Sequence, residues 1–272
     1  MTRRSAAPLL ALLLVCAACG PTLIKLPPGP GVPAFDGRAI ADEATAACRT
    51  VETISLEISV SGTVGGDRLR GRLVAGLTRP GMVRLEAVAP FGQPIFTLVL
   101  DDLLSNPKPG TTLLLSRDNR FLERGQFDAV LEAVTGISLD AHTLFTILTG
   151  CTSQVPLGER SLGTDWRVMS AGNDQVYLNR EKDGPWRLVA TVRPGADSGW
   201  RAEYGRFQNG LPRSIHLVSA RNRGFDLQLG LSQVEPNAQL GPEVFRVQVP
   251  ASASPITLDE LKNSGPLGAN GR

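Results

Sequence analysis

The segment from Arg68 to Asp101 constrains the fold more than any other part of the chain. Its first third alternates leucine and alanine with arginine, and a Pro80-Gly81 turn follows. Val83 to Ala87 alternates in the same way, and Ile95 to Leu100 is apolar at nearly every position. Alternation with a period of two is typical of strands that bury one face. The segment therefore predicts a meander of three antiparallel strands.

Further strands are predicted on both sides of this meander, each bounded by Gly, Asn, Asp or Pro. They are Glu52–Val64, Thr111–Arg117, Asp165–Ser170, Gln175–Arg180, Trp186–Val192, Trp200–Phe207, Arg213–Ala220, Phe225–Val234 and Val244–Val249. Their spacing of roughly ten residues is typical of an all-β sandwich or barrel built from hairpins.

Apolar residues at helical spacing predict four helices within this strand-rich chain. They are Arg38–Val51, Gln126–Thr135, Asp140–Thr149 and Thr257–Asn263. The middle two are short and amphipathic, and they interrupt the series of strands. They fit either a plug packed on a sheet or a movable lid over an apolar cavity.

The N-terminus has the form of an export signal. Two arginines precede an apolar run and small residues, so residues 1–18 are predicted to be a signal peptide and not a membrane-spanning helix. The end of this segment, Ala17-Ala18-Cys19-Gly20, resembles a bacterial lipobox, in which Cys19 would be lipidated. An ordinary signal cleaved near Ala18 is the alternative. Gly20 stands where aspartate would indicate retention at the inner membrane, so we expect an anchor on the periplasmic face of the outer membrane.

The rest of the chain divides by composition. Residues 19–35 are rich in Pro and Gly and are predicted to form the lipid anchor and a flexible tether. Residues 36–265 contain no linker and are predicted to form one domain. Residues 266–272 are predicted to be a disordered tail.

Charge and motif content exclude several functions. Removal of residues 1–18 takes two of the 28 basic residues and none of the 26 acidic ones, so the mature chain is formally neutral. A neutral chain lacks the basic footprint of a nucleic-acid-binding protein. Neither His142 nor His216 has Cys, Asp or Glu at metal-ligand spacing, and no nucleophile or phosphate-loop motif occurs. We therefore predict no enzymatic activity, no cofactor and no metal.

Two cysteines remain if Cys16 leaves with the signal and Cys19 carries lipid. Cys48 and Cys151 can pair in an oxidising compartment, or they can stay as two buried thiols.

The chain resembles the LolA/LolB-like outer-membrane lipoproteins over roughly residues 54–150. The resemblance rests on a meander that turns at Pro90-Phe91-Gly92, followed by a helix ending in Thr135-Gly136 and a second helix ending in Leu148-Thr149-Gly150. It implies a mainly β (α+β) fold: a strongly curved, incomplete antiparallel β-barrel with an N-terminal helix and a short helical lid or plug inside. It also implies that an exposed hydrophobe at the turn tip, here Phe91, contacts the membrane.

The leading hypothesis is that the half-barrel binds the acyl chains of lipoproteins or other lipids, for lipoprotein reception and insertion or for related lipid transport. A periplasmic carrier protein is a possible partner on this hypothesis. The alternative is a non-enzymatic scaffold or assembly lipoprotein that binds a protein partner and has a filled core. The residues predicted to line the ligand cavity are Leu73, Leu85, Phe96, Leu98, Leu100, Leu114, Leu131, Val134, Leu144 and Leu148. A slip of one residue in register would reverse the faces of a strand and invert this set.

Overall fold

The computed structural model describes residues 22–79, 81–89, 92–101, 110–152 and 157–264. The strands within these ranges are β1 (Val32–Pro33), β2 (Thr53–Val64), β3 (Asp67–Thr78), β4 (Val83–Val88), β5 (Pro94–Leu100), β6 (Thr111–Leu115), β7 (Arg120–Gly125), β8 (Leu157–Ser161), β9 (Trp166–Ala171), β10 (Asp174–Asn179), β11 (Arg187–Arg193), β12 (Trp200–Gly205), β13 (Ser214–Ser219), β14 (Phe225–Pro236) and β15 (Ser254–Pro255). The helices are α1 (Gly37–Arg49), α2 (Phe127–Thr135), α3 (Ala141–Thr149) and α4 (Leu258–Ser264), with a 3₁₀ helix at Pro242–Phe245.

All of these strands belong to one curved sheet that does not close. Their order is β1-β8-β9-β10-β11-β12-β13-β14-β2-β3-β4-β5-β6-β7-β15, and every pair is antiparallel except β7 with β15. The two edge strands, β1 and β15, have two residues each, and each contains a proline. Short, proline-containing edges resist pairing with other chains. The predicted class, an incomplete antiparallel barrel with helices, is confirmed.

The predicted meander is β3, β4 and β5. β2 and β3 pair along twelve residues each, from Thr53 opposite Thr78 to Val64 opposite Asp67. Alternate residues of β2, among them Ile54 and Leu56, are almost fully buried. We call the sheet face that carries them the inner face, because they join one apolar cluster with residues of all four helices.

A predicted strand at Val244–Val249 is absent, and its residues have another role. Pro242 begins the 3₁₀ helix instead, and the Arg84 guanidinium of β4 donates to the carbonyls of Val244 and Arg246 at 2.8 and 3.1 Å. The alternation in this segment arises because it lies on the outer face of the sheet. Phe245 is 2% exposed there, although it lies outside the interior cluster.

The segment from Leu240 to Ser264, which we call the C-terminal strap, runs from the outer face to the inner side. It begins against Gly76 of β3, where Leu240 and Val244 are the side chains nearest to the glycine. Its residues Ser254 and Pro255 form β15, which pairs with β7, and it ends in α4, which packs on α2. Leu261 of α4 is fully buried in the interior cluster. The strap therefore wraps the β7 edge of the sheet.

Four strands of the structure escaped prediction: β7 and β8, where charged residues interrupt the alternation, and the two-residue edge strands β1 and β15, which are too short to show one. The part of the predicted tether from Ile24 to Ala34 is also not free, because it is bound along the outer face of the sheet. No helix in the described part of the chain is both long and apolar enough to span a bilayer.

Replacement of Phe245 by Ala should lower the free energy of unfolding by about 3–5 kcal/mol, the usual range for emptying a buried aromatic site. Urea unfolding measures the change. Phe35→Ala is the matched control, because Phe35 is 99% exposed; its effect should stay within about 0.5 kcal/mol. Equal losses in the two variants would contradict the packing of the strap on the sheet.

Candidate functional site

The candidate site is the apolar inner face of the sheet together with the two helices that cover it. Helices α2 and α3, which we call the helical cover, join the interior cluster through side chains at helical spacing. These are Phe127, Val130, Leu131, Ala133, Val134, Phe145, Ile147 and Leu148. Each helix ends at a glycine with a left-handed backbone, Gly136 (φ 75°) and Gly150 (φ 65°). Glycine adopts this conformation without strain, which explains why both helices stop there.

The structure brings most of the predicted cavity residues together. Six are buried in the interior cluster: Leu85, Phe96, Leu98, Leu131, Val134 and Leu148. Three are half-buried against that cluster: Leu73, Leu100 and Leu144. Their neighbours are the side chains of the cover and of the sheet, so these residues form a packed core in this state.

Leu114 departs from the prediction. It lies opposite Thr97 in the β5–β6 pairing, whereas Leu98 lies opposite Leu113. Opposite residues in an antiparallel pair share a face, so Leu114 is on the outer face. Leu113 and Leu115 take the inner positions, and both are buried. The prediction was out of register by one residue in β6.

A groove of about 910 Å³ lies elsewhere, beside β14 on the outer face. Its lining includes Ser59, Phe207, Arg213 and Gly230, and none of the predicted cavity residues.

A polar cluster holds the start of α3 on the inner face of the sheet. The Arg193 guanidinium of β11 donates to both carboxylate oxygens of Asp174, at 2.7 and 3.0 Å, and to the Thr143 hydroxyl at 3.3 Å. Thr143 in turn donates from its hydroxyl and its amide to Asp140, at 2.6 and 2.8 Å. The guanidinium also lies over the Trp200 ring, 5.0 Å from its centre. We call these four hydrogen-bonding residues, Asp140, Thr143, Asp174 and Arg193, the polar latch.

Arg193 and Asp140 of the latch remain ionised near neutral pH. Its hydrogen bond to Asp174 raises the pKa of Arg193, although burial opposes this. Burial alone would raise the pKa of Asp140, but its hydrogen bonds from Thr143 and the nearby Arg193 charge hold that pKa below its ordinary value of 3.8. Charge-assisted hydrogen bonds of this kind are stronger than neutral ones.

The C-terminal end of α3 is held covalently. Cys151, just after α3, is joined to Cys48 of α1 by a disulfide, with a sequence separation of 103 and 5.6 Å between the Cα atoms. The Arg79 guanidinium lies 4.9 Å from the centre of the Phe145 ring of α3, and it is 3.5 Å from the Cys151 sulfur. Helix α3 therefore has a covalent attachment at its C-terminal end and a polar attachment at its N-terminal end.

Sequence reasoning missed the polar latch. A signal for it existed, because Asp174 and Arg193 occupy inner positions of strands whose other inner residues are mainly apolar. Cys19 and Phe91, the predicted lipidation and membrane-contact residues, lie outside the described residues. Among the described side chains, no group of three or more His, Cys, Asp or Glu is placed to hold a metal ion.

No family model and no curated protein matches the sequence. Solved structures do resemble the fold. A DUF1329 family protein from Desulfovibrio piger is 11% identical, with 77% of this chain and 96% of that one covered and a TM-score of 0.49. A LolA superfamily protein from Nitrosomonas europaea is 14% identical, with 79% and 99% covered and a TM-score of 0.44. A domain assigned to outer membrane lipoprotein sorting from Vibrio parahaemolyticus is 10% identical, with 76% and 95% covered and a TM-score of 0.47.

The amide signal of Thr143 should titrate with a midpoint below pH 3.8, because its acceptor Asp140 has a lowered pKa in the folded chain. The stabilisation that Asp140 contributes is then present above its unfolded pKa and is lost as the pH falls through the folded value. A pH series of ¹H–¹⁵N NMR spectra measures the midpoint. A midpoint above 3.8 would mean that burial outweighs the hydrogen bonds. Asp140→Asn should keep the helix cap and abolish the titration.

Reduction of the disulfide should lower the free energy of unfolding by about 4–5 kcal/mol, the loop-entropy value for a cross-link that closes about one hundred residues. Denaturant curves with and without a reductant measure this. The double variant Cys48→Ala/Cys151→Ala is the control, and the reductant should leave its curve unchanged. An equal effect of reductant on both proteins would assign the loss to something other than this bond.

Proposed function

We propose that this chain is a lipid-anchored envelope protein that binds acyl chains between the inner face of its sheet and the helical cover. The observation that supports this most directly is the way the apolar inner face is buried. The sheet leaves it open, and α2 and α3 cover it with eight apolar side chains on two nine-residue helices. A cover of this kind can exchange its own contacts for those of a ligand with the same chemistry.

The energies involved are of the same order. Each buried side chain of the cover contributes roughly 1.5–3 kcal/mol, and each buried acyl methylene contributes about 0.8 kcal/mol. Two or more acyl chains of ordinary length therefore compensate for the apolar contacts that the cover gives up. The disulfide at Cys151 keeps the cover attached in this exchange, and the polar latch is the contact that must break.

The anchored form is part of the same proposal. Lipidation of Cys19 would hold the protein on the periplasmic face of the outer membrane, and Phe91 would contact the lipid during transfer. The lipobox-like sequence and the resemblance to LolB support this placement. The proposed activity is non-enzymatic, and its ligands are acyl chains of lipoproteins or other lipids, delivered by a periplasmic carrier.

A second candidate function is a scaffold lipoprotein that binds a protein partner. The packed interior favours it, because the predicted cavity residues are buried against the chain's own side chains. The two candidates differ in whether apolar ligands enter this interior.

Weakening of the polar latch should increase the affinity for an apolar ligand, because less free energy is needed to displace the cover. We expect Arg193→Met to tighten binding of a fluorescent fatty acid by about tenfold for each 1.4 kcal/mol of latch stabilisation lost. The protein for this test is the soluble Cys19→Ser chain without residues 1–18. Fluorescence titration gives the dissociation constant, and native mass spectrometry with lipid extraction identifies co-purified lipid.

Arg187→Met is the matched control for this titration. Arg187 is in the same strand, β11, and its side chain is exposed, so its loss should leave the affinity unchanged. Absence of saturable binding to both the unmodified protein and Arg193→Met would reject the carrier and favour the scaffold.

A further inference from the structure

The chain just after the predicted lipidation site is held on the outer face of the sheet. The amide of Ile24 donates to both carboxylate oxygens of Glu203 in β12, at 2.9 and 3.1 Å. The carbonyl of Ile24 accepts a hydrogen bond from the Arg201 guanidinium, which also forms an ion pair with Glu203. Because Glu203 is only 5% exposed, these charge-assisted bonds are sheltered from water. We call Ile24, Arg201 and Glu203 the anchor clamp.

The clamp rests on a wider polar network. His216 of β13 lies opposite Glu203, with 4.0 Å between its Nδ1 and a Glu203 oxygen, and its Nε2 is 2.8 Å from Asp226. Ala190 also lies opposite Glu203, and it is fully buried although it does not belong to the interior cluster. This burial is expected beneath a docked segment. The outer face of β11–β13 is thus a built surface for the N-terminal chain.

Further attachments follow along the same segment. The carbonyl of Pro30 accepts from Arg160 at 2.7 Å. Val32 and Pro33 then pair with β8, and the amide of Ala34 donates to the carbonyl of Glu159 at 3.1 Å. The chain from Ile24 to Ala34 therefore crosses the outer face from β12 to the β8 edge.

We propose that the outer face of β11–β13 is the side that faces the membrane, held there by the anchor clamp. This inference rests on the lipid anchor at Cys19 that the proposed function includes. Cys19 precedes Ile24 by five residues, which span at most about 17 Å when fully extended. A free tether from Cys19 to Phe35 could span about 55 Å. The clamp therefore removes most of the reach, and the protein is oriented on the lipid surface.

Exposed apolar side chains lie at both ends of the docked segment. Leu23 and Ile24, at 43% and 38% exposure, are next to the anchor. Val32, Phe35 and Leu157, at 64%, 99% and 69%, are at the β1–β8 edge. Side chains of this type are favourable at a lipid interface and unfavourable in water, so they fit a bilayer as the partner of this surface.

The test anchors the mature chain, residues 19–272, chemically to vesicles. Cys48 and Cys151 are joined, so Cys19 is the thiol that couples to a maleimide lipid in phosphatidylcholine vesicles. A donor fluorophore is introduced as a non-canonical amino acid at Gln175 on the outer face of β10, or at Asp128 on α2. Both positions are exposed. Energy transfer to acceptor-labelled lipid headgroups should be higher from position 175 than from position 128.

Ile24→Pro removes the amide donor of the anchor clamp without touching the sheet. We expect the difference between the two labelling positions to be lost in this variant. Thr22→Pro is the matched control, because it leaves the Ile24 amide and the apolar side chains of Leu23 and Ile24 in place, and it should preserve the difference. Equal transfer from the two positions in the unmodified chain, higher transfer from position 128, or no effect of Ile24→Pro would overturn the proposal.

The readout of this experiment is orientation and not ligand binding, and it does not depend on native lipidation. A negative result would therefore not affect the conclusion from the binding titrations with the Arg193→Met protein. Absence of ligand binding in those titrations would likewise not affect the conclusion about orientation.

Discussion

The architecture depends on one constraint, an apolar sheet face that the sheet itself does not enclose. Strand pairing ends at two short edges, β1 and β15, which do not meet. An open inner face lined by leucine, isoleucine and valine cannot stay in contact with water at the usual cost of about 25 cal/mol per Å². The four helices cover this face from the inner side. The C-terminal strap passes around the edge formed by β7 and β15 and so brings α4 to the same side. Removal of the apolar inner face would leave α2 and α3 without a partner.

Helix α3 of the helical cover is attached differently at its two ends. The disulfide between Cys48 and Cys151 is permanent in an oxidising compartment, whereas the latch around Arg193 consists of hydrogen bonds that can exchange with water. Under the proposed function, the disulfide would keep α3 attached while the polar contacts at its other end break. The anchor clamp on Glu203 has the same chemistry as the latch but lies on the opposite face of the sheet. The protein thus uses buried ion pairs to hold segments in place and apolar contacts to fill the interior.

Much of the sheet was predictable, because local alternation determines which face of a strand is buried. β3, β4 and β5 follow directly from it, and α2 and α3 follow from helical spacing. Prediction failed where contacts with distant parts of the chain determine the local conformation or the face on which a residue lies. Val244–Val249 alternates like a strand but lies on the outer face of another one. In β6 three leucines follow one another, so the local sequence does not show that Leu113 and Leu115 face inward and Leu114 outward. The polar latch and the anchor clamp join residues distant in sequence, so their individual residue types do not reveal them. The segment around Ile24 is rich in proline and glycine, which indicates a free tether unless the partner strands are known.

The pairing of β2 with β14 has a consequence for the order of assembly. β2 is complete at Val64, but its second neighbour begins only at Phe225. A chain made from its N-terminus therefore carries a strand with one unpaired, apolar edge until more than half of the remaining sequence has followed. Contacts of such high sequence separation form slowly, because a long loop must close before they stabilise anything. The same topology delays folding of the early chain, which would suit export of the unfolded polypeptide under the proposed function.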